Sequence, residues 1–224
     1  KEGLNRFDGY QFKVFNLDDD YERSLTKDLI NSLFVDKHNV MWVGAQKGLY
    51  QYDRNKERII RFIDTLRNVS GMLTDSSGQL WFISDRSLCR YNFSTRTLKR
   101  FPHRDYFNAN TLCLSAEGEL WVGTAEGYLQ RYDARTETFR RYNIFSHSTP
   151  IPTCFIERLL PAGPGSLFVG TSCQGVKKFD INTGAYEDIV TYNPDRTTIY
   201  VRTMLKYSDT EFWFGTESGV FILN

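Results

Sequence analysis

Residues 119–133 read ELWVGTAEGYLQRYD, and close variants return as MWVGAQKGLYQYD at 41–53, LFVGTSCQGVKKFD at 167–180 and FWFGTESGVFILN at 212–224. A chain that rewrites one short phrase at a regular spacing is an array of one supersecondary unit. The aromatics Trp42, Trp81, Trp121, Phe168 and Trp213 mark the copies. They fall 39, 40, 47 and 45 residues apart, the period of a four-stranded propeller blade and more than an ankyrin or tetratricopeptide unit takes. In the third copy, strand signals over 111–114, 120–124, 128–132 and 138–142 alternate with turn signals at 115–118 and 133–137. The segments are short and rich in aromatic or β-branched residues, and no copy holds a helix-length apolar period. The pattern predicts an all-β fold, a β-propeller of four-stranded antiparallel blades.

The recurring residues have physical work to do. The aromatic on the second strand is large enough to fill the gap between twisted blades. Gly44, Gly123, Gly170 and Gly215 suit close approach of a neighbouring strand, and Gly48, Gly127, Gly175 and Gly219 suit a turn with positive φ. An aromatic followed by Asp or Asn then closes the third strand, as in Tyr52-Asp53 and Tyr132-Asp133, where the short polar side chain can accept from backbone N–H groups of the next hairpin. Repeat units are expected near 1–15, 28–64, 67–101, 109–142, 153–190 and 199–224 of a single domain. The first holds two strands and the last three, so the expectation is four complete repeats plus two partial ones, a partial or truncated ring drawn from one of six to eight blades.

A chain of 224 residues, 41% hydrophobic and 15% aromatic, can bury a sizeable core. Its 28 Lys and Arg balance 27 Asp and Glu and are scattered, which gives no footprint for nucleic acid or an anionic membrane. No apolar run reaches the ~20 residues of a bilayer span, so no direct membrane insertion is expected of this segment.

The phrase apolar-x-x-apolar, Asp/Ser-x-x-Gly-x-Leu-Trp-Val-Gly-Thr, x-x-Gly-Leu-x-x-Tyr-Asp resembles the two-component regulator propeller repeat. It stands as LINSLFVDKHNVMWVGAQKGLYQYD (29–53) and TLCLSAEGELWVGTAEGYLQRYD (111–133). GLNRFDGYQFKVF (3–15) looks like the end of the first such repeat in the sensor domains of Bacteroides-type hybrid two-component systems. The likeness covers essentially the whole chain; WD40 repeats fit less well, because Gly-His and Trp-Asp are missing. The second copy departs from the pattern at Ile83-Ser84-Asp85-Arg86, and the fourth at Pro161–Ser166. The resemblance implies a periplasmic sensor of oligosaccharides, built from two propellers and a smaller β-domain ahead of a transmembrane helix, histidine kinase and regulator modules, and working as a homodimer.

No catalytic constellation is legible, and no cofactor or metal is expected. His38, His103 and His147 fall in three different copies without metal-ligand spacing. Asp18-Asp19-Asp20 with Glu22 lacks the alternation and glycine of a calcium loop. Asn68-Val69-Ser70 and Asn92-Phe93-Ser94 match glycosylation triplets that a bacterial protein leaves idle. Cys89, Cys113, Cys154 and Cys173 have no paired Cys-x-x-Cys spacing. If Leu33 lies opposite Trp42, the same register sets Leu159 opposite Phe168 and Cys154 opposite Cys173. Opposed strand residues are close enough to bridge, so a disulfide in an oxidising periplasm stands against a pair of small buried thiols.

Propeller ligands sit where the turns between second and third strands meet the inter-blade segments. The turns are Gln46-Lys47, Asp85-Arg86, Ala125-Glu126, Ser172–Gln174 and Glu217-Ser218; the segments include 104–110, 146–153 and 192–198. A sugar needs an aromatic platform flanked by amides, carboxylates or Arg. Arg86, Tyr106, Gln174 and Tyr192 lead the candidates, followed by Gln46, Glu126 and Glu217. Two readings stay open: an oligosaccharide sensor, or a protein-interaction and dimerisation propeller. A propeller lyase or hydrolase would need an axial histidine or paired acids.

Overall fold

The structure, a computed structural model, describes residues 4–15, 29–63, 65–101, 107–145 and 154–224. It is all-β over these residues, with each blade a meander of antiparallel strands in consecutive order. The chain divides into two compact units, Lys1–Phe101 and Pro102–Asn224.

The first unit holds a hairpin, β1 (Leu4–Phe7) and β2 (Phe12–Phe15), and two four-stranded blades. One is β3 (Ile30–Val35), β4 (Met41–Ala45), β5 (Gly48–Asp53) and β6 (Arg58–Ile63). The other is β7 (Val69–Thr74), β8 (Leu80–Ser84), β9 (Ser87–Asn92) and β10 (Thr97–Phe101). Leu4 and Phe15 pack the hairpin on Val43, Tyr50 and Ile59, while Trp42, Leu49, Leu66, Val69, Leu80 and Phe82 form the core between the blades. The turn at Asp85-Arg86 has both residues at positive φ, +46° and +62°. It is thus a primed hairpin turn made without the glycine that the other copies use.

The second unit holds β11 (Ala109–Leu114), β12 (Leu120–Thr124), β13 (Tyr128–Asp133) and β14 (Thr138–Asn143). Next come β15 (Ile156–Gly163), β16 (Ser166–Thr171), β17 (Val176–Asp180) and β18 (Tyr186–Val190), then a three-stranded sheet of β19 (Val201–Lys206), β20 (Phe212–Thr216) and β21 (Gly219–Leu223). Trp121 meets Phe179 edge-on at 5.5 Å, and Phe168 meets Phe212 and Phe214 at 4.9 and 5.2 Å. The second-strand aromatic therefore does fill the space between blades. Gly123 is required by that packing: a Cβ there would stand 2.3 Å from Ile156 Cγ2 of the next blade. At Gly175, φ is +61° and a Cβ would fall 1.8 Å from the Val190 carbonyl oxygen.

The turns after the third strands are built as expected. Asp8, Asp53, Asn92, Asp133 and Asp180 each accept from the backbone N–H groups two and three residues on. These bonds hold Asp8, Asp133 and Asp180 below the usual carboxylate range, chiefly through the N–H groups of Gln11, Arg135 and Thr183 respectively.

The expected strand register needs correction. Phe34, not Leu33, lies opposite Trp42, and Leu160, not Leu159, lies opposite Phe168. A β-bulge between Ile156 and Arg158 then moves the pairing by one residue toward the strand's start. Cys154 and Cys173 consequently come together, joined by a disulfide with their Cα atoms 5.4 Å apart. Cys89 and Cys113 are buried free thiols whose pKa values burial pushes up to about 11 and about 12.

Candidate functional site

Each first strand carries the same irregularity near its start. The register slips between Ile30 and Ser32, Ser70 and Leu73, Ala109 and Thr111, Ile156 and Arg158, and Val201 and Thr203. An extra residue in one strand bends it and re-aims a side chain. In four of the five strands that extra residue is polar: Asn31, Asn110, Glu157 and Arg202.

In the first unit Asn31 Nδ2 donates to the Val69 carbonyl at 3.2 Å, tying one first strand to the next. In the second unit the same positions grow into a row. Asn110 Nδ2 donates to the Ile156 carbonyl at 2.9 Å and lies 3.5 Å from Glu157 Oε2. Tyr200 donates its hydroxyl to Glu157 Oε1 at 2.8 Å. The Arg202 guanidinium stacks 3.9 Å over the Tyr200 ring and pairs with Glu217. Glu126, on the β12–β13 turn, accepts from the Asn108 backbone N–H at 3.0 Å and from its side-chain amide. The Arg158 guanidinium donates to the Glu157 carbonyl at 2.6 Å. Burial, then the bond to Glu157, raises the Tyr200 pKa above the ordinary phenol value.

Within each blade the turn between the second and third strands is tied to the start of the first strand. The N–H groups of Gln46, Ala125, Ser172 and Glu217 donate to the carbonyls of Leu29, Asn108, Phe155 and Tyr200 just ahead of the first strands. The Cys154–Cys173 disulfide reinforces this latch in the blade that carries Glu157.

Of the residues singled out from sequence, Glu217 stands in this row, paired with Arg202, while Glu126 is bonded to Asn108 just ahead of β11. Gln174 lies on the disulfide turn, its N–H bonded to Thr171 Oγ1 at 2.8 Å. Tyr192 is 62% exposed and bridges Thr198 across a short loop. Gln46 and Arg86 are exposed on turns of the first unit. Tyr106, His103, His147, the 146–153 segment and the acidic run at 18–22 lie outside the described residues. His38 is exposed in the β3–β4 turn. Among the described residues no three His, Cys, Asp or Glu side chains gather as a metal site.

Sequence reasoning missed Glu157, Tyr200 and Arg202, and reached Asn110 only as the end of a loop. The signal is a polar residue directly after the buried apolar residue that opens the strand, as in Ala109-Asn110, Ile156-Glu157 and Val201-Arg202. It interrupts the alternation that the rest of each first strand follows.

The sheets define the chain as a β-propeller protein, and solved structures share that fold. The extracellular domain of a chain assigned as a B. thetaiotaomicron hybrid two-component system matches with TM-score 0.73 at 19% identity, over 100% of this chain and 31% of that one. A second B. thetaiotaomicron domain of the same description matches at 0.65 and 17%, over 93% and 33%. This chain thus spans about a third of the length of those domains. A catalytically inactive histidine-to-alanine variant of virginiamycin B lyase from Staphylococcus aureus, with quinupristin, matches at 0.64 and 12%, over 94% and 72%. No protein-family model and no curated protein sequence matches the chain.

Proposed function

We propose that this chain is part of the extracytoplasmic, periplasmic sensor region of a hybrid two-component receptor, and that it recognises an oligosaccharide without chemically altering it. The observation that carries the reading is the row Asn110–Glu157–Tyr200–Arg202–Glu217, where successive strands present amide, carboxylate, phenol and guanidinium at one end of the blades. Sugar hydroxyls both donate and accept, and such a mixed row offers partners for both. The likeness in fold to extracellular domains assigned to hybrid two-component systems supports the setting, as does a disulfide, which persists in oxidising compartments. The lyase shares the fold too. The non-enzymatic reading is favoured because, among the described residues, the row contains no histidine and joins each carboxylate to a donor. Ligand occupancy would bias the packing of sensor regions in a homodimer, with the remaining receptor modules as partners.

The test is a thermal-shift screen of the intact protein against plant, host and microbial oligosaccharides. Saturable stabilisation by one class supports the reading, because a ligand selective for the folded state raises the melting temperature. A well-folded protein silent across the panel contradicts it. A second reading, an interaction propeller, is favoured by one face of the last sheet. There Leu205 and Ile222 flank Trp213, and Tyr207 stacks on that ring at 5.2 Å. Leu205, Tyr207 and Ile222 are all exposed. Sedimentation of the intact protein over a concentration range, with and without saccharide, separates the two readings.

A further inference from the structure

The charge of the row restricts what it can hold. Among the described residues Glu157 and Glu217 contribute two carboxylates to the row, beside the guanidiniums of Arg202 and Arg158. Arg202 has its face on the Tyr200 ring and an edge on Glu217, and Arg158 is turned to the Glu157 carbonyl. The carboxylates are less fully used. Glu157 Oε1 receives the Tyr200 hydroxyl, whereas Oε2 has only the Asn110 amide at 3.5 Å, beyond good hydrogen-bond length. An ionised carboxylate has about four acceptor sites and no proton to give, so the group that satisfies it is an O–H or N–H donor. A ligand carboxylate or sulfate set against Glu157 would meet like charge. A hydroxyl meets an open acceptor in Glu157 and a second in the phenol oxygen of Tyr200, whose proton is committed to Glu157.

Resting on the carbohydrate reading above, we propose that the Asn110–Glu157–Tyr200–Arg202–Glu217 row is the specificity determinant of the site, and that it selects uncharged polyhydroxylated ligands, neutral oligosaccharides, over uronate-bearing or sulfated ones. Glu157 is the anchor. It accepts from Tyr200 at the entry to β19 and lies beside Asn110 on β11, so a hydroxyl bound to it is near groups from three successive blades.

The experiment is isothermal titration of the intact protein with four probes: neutral hexose oligomers, neutral pentose oligomers, oligogalacturonates and sulfated oligosaccharides. The same titration is run on Glu157→Gln and Glu217→Gln, each checked for an unchanged melting curve. Binding of a neutral class, weakened about tenfold or more by Glu157→Gln, is the expected result, since a charge-assisted bond to a sugar hydroxyl is replaced by a weaker one. Two variants keep the test alive if one fails to fold. Binding of oligogalacturonates or sulfated oligomers in preference to neutral ones overturns the inference and leaves the carbohydrate reading standing. Neutral binding that neither variant alters also overturns it, because the ligand would then sit elsewhere. Binding of no saccharide overturns both.

Discussion

Trp121 shows how far a single position can depart from its repeat. The indole N–H groups of Trp42 and Trp81 donate to Asp36 and Asp75 at 3.0 and 2.7 Å, and that of Trp213 donates to Glu211. Ser115 stands where the third blade would have the aspartate, and Trp121 Nε1 is buried without a partner. Ser115→Asp is therefore expected to stabilise the protein by about 1 kcal/mol, roughly 2–4 °C in melting temperature, by giving that donor a carboxylate. Asp36→Ala should do the opposite by about 2–3 kcal/mol, because it orphans the Trp42 indole and frees the backbone N–H groups of His38 and Val40. Thermal denaturation of the two variants checks both signs, and a neutral Ser115→Asp would sink the explanation. Acid sensitivity belongs to this scale as well. Asp8, Asp133 and Asp180 have folded-state pKa values below their unfolded ones. Their contribution is complete above the ordinary aspartate range and is lost as pH falls through the lowered folded values. Asp133→Asn, which keeps the acceptor without the titration as Asn92 already does, should flatten the melting-temperature profile below about pH 4 relative to the parent.

At the scale of strands, the bulge is the device that joins fold to site. Alternation and turn residues made every strand of the third blade legible to within two residues, because aromatic and β-branched runs are punctuated by Gly, Asp and Ser. The bulges were not legible, because one extra residue costs the sequence only a local break in alternation. Two errors in the expected pairing therefore cancelled at the cysteines: a register read one residue out at Trp42 and Phe168, and a one-residue slip at Glu157. The disulfide spans 19 residues of sequence. Its removal by Cys154→Ser with Cys173→Ser should cost about 3 kcal/mol in chemical denaturation. The same change should also weaken ligand binding, since the bridge holds the strand entry beside Glu157. Loss of stability with unchanged affinity would separate the latch from the site. Gly123→Val is expected to be more damaging than an ordinary surface change, because Ile156, the residue before Glu157, occupies the space its side chain would need.

For the molecule as a whole, the repeat fixes the propeller class, while function resides in side chains that the repeat leaves free to vary. Domains assigned to hybrid two-component systems and virginiamycin B lyase share the fold with this chain at 12–19% identity. The turns were legible because their spacing repeats; the polar residues that open the strands beside them were not, because Asn110, Glu157 and Arg202 share a position but no chemistry. The most direct measurement of the central claim is hydrogen exchange of the intact protein with and without a saturating neutral oligosaccharide. Slower exchange concentrated at 108–112, 155–158 and 199–203 is the predicted result. Protection confined to other segments, or none under saturating ligand, would contradict the assignment of the row as the binding site.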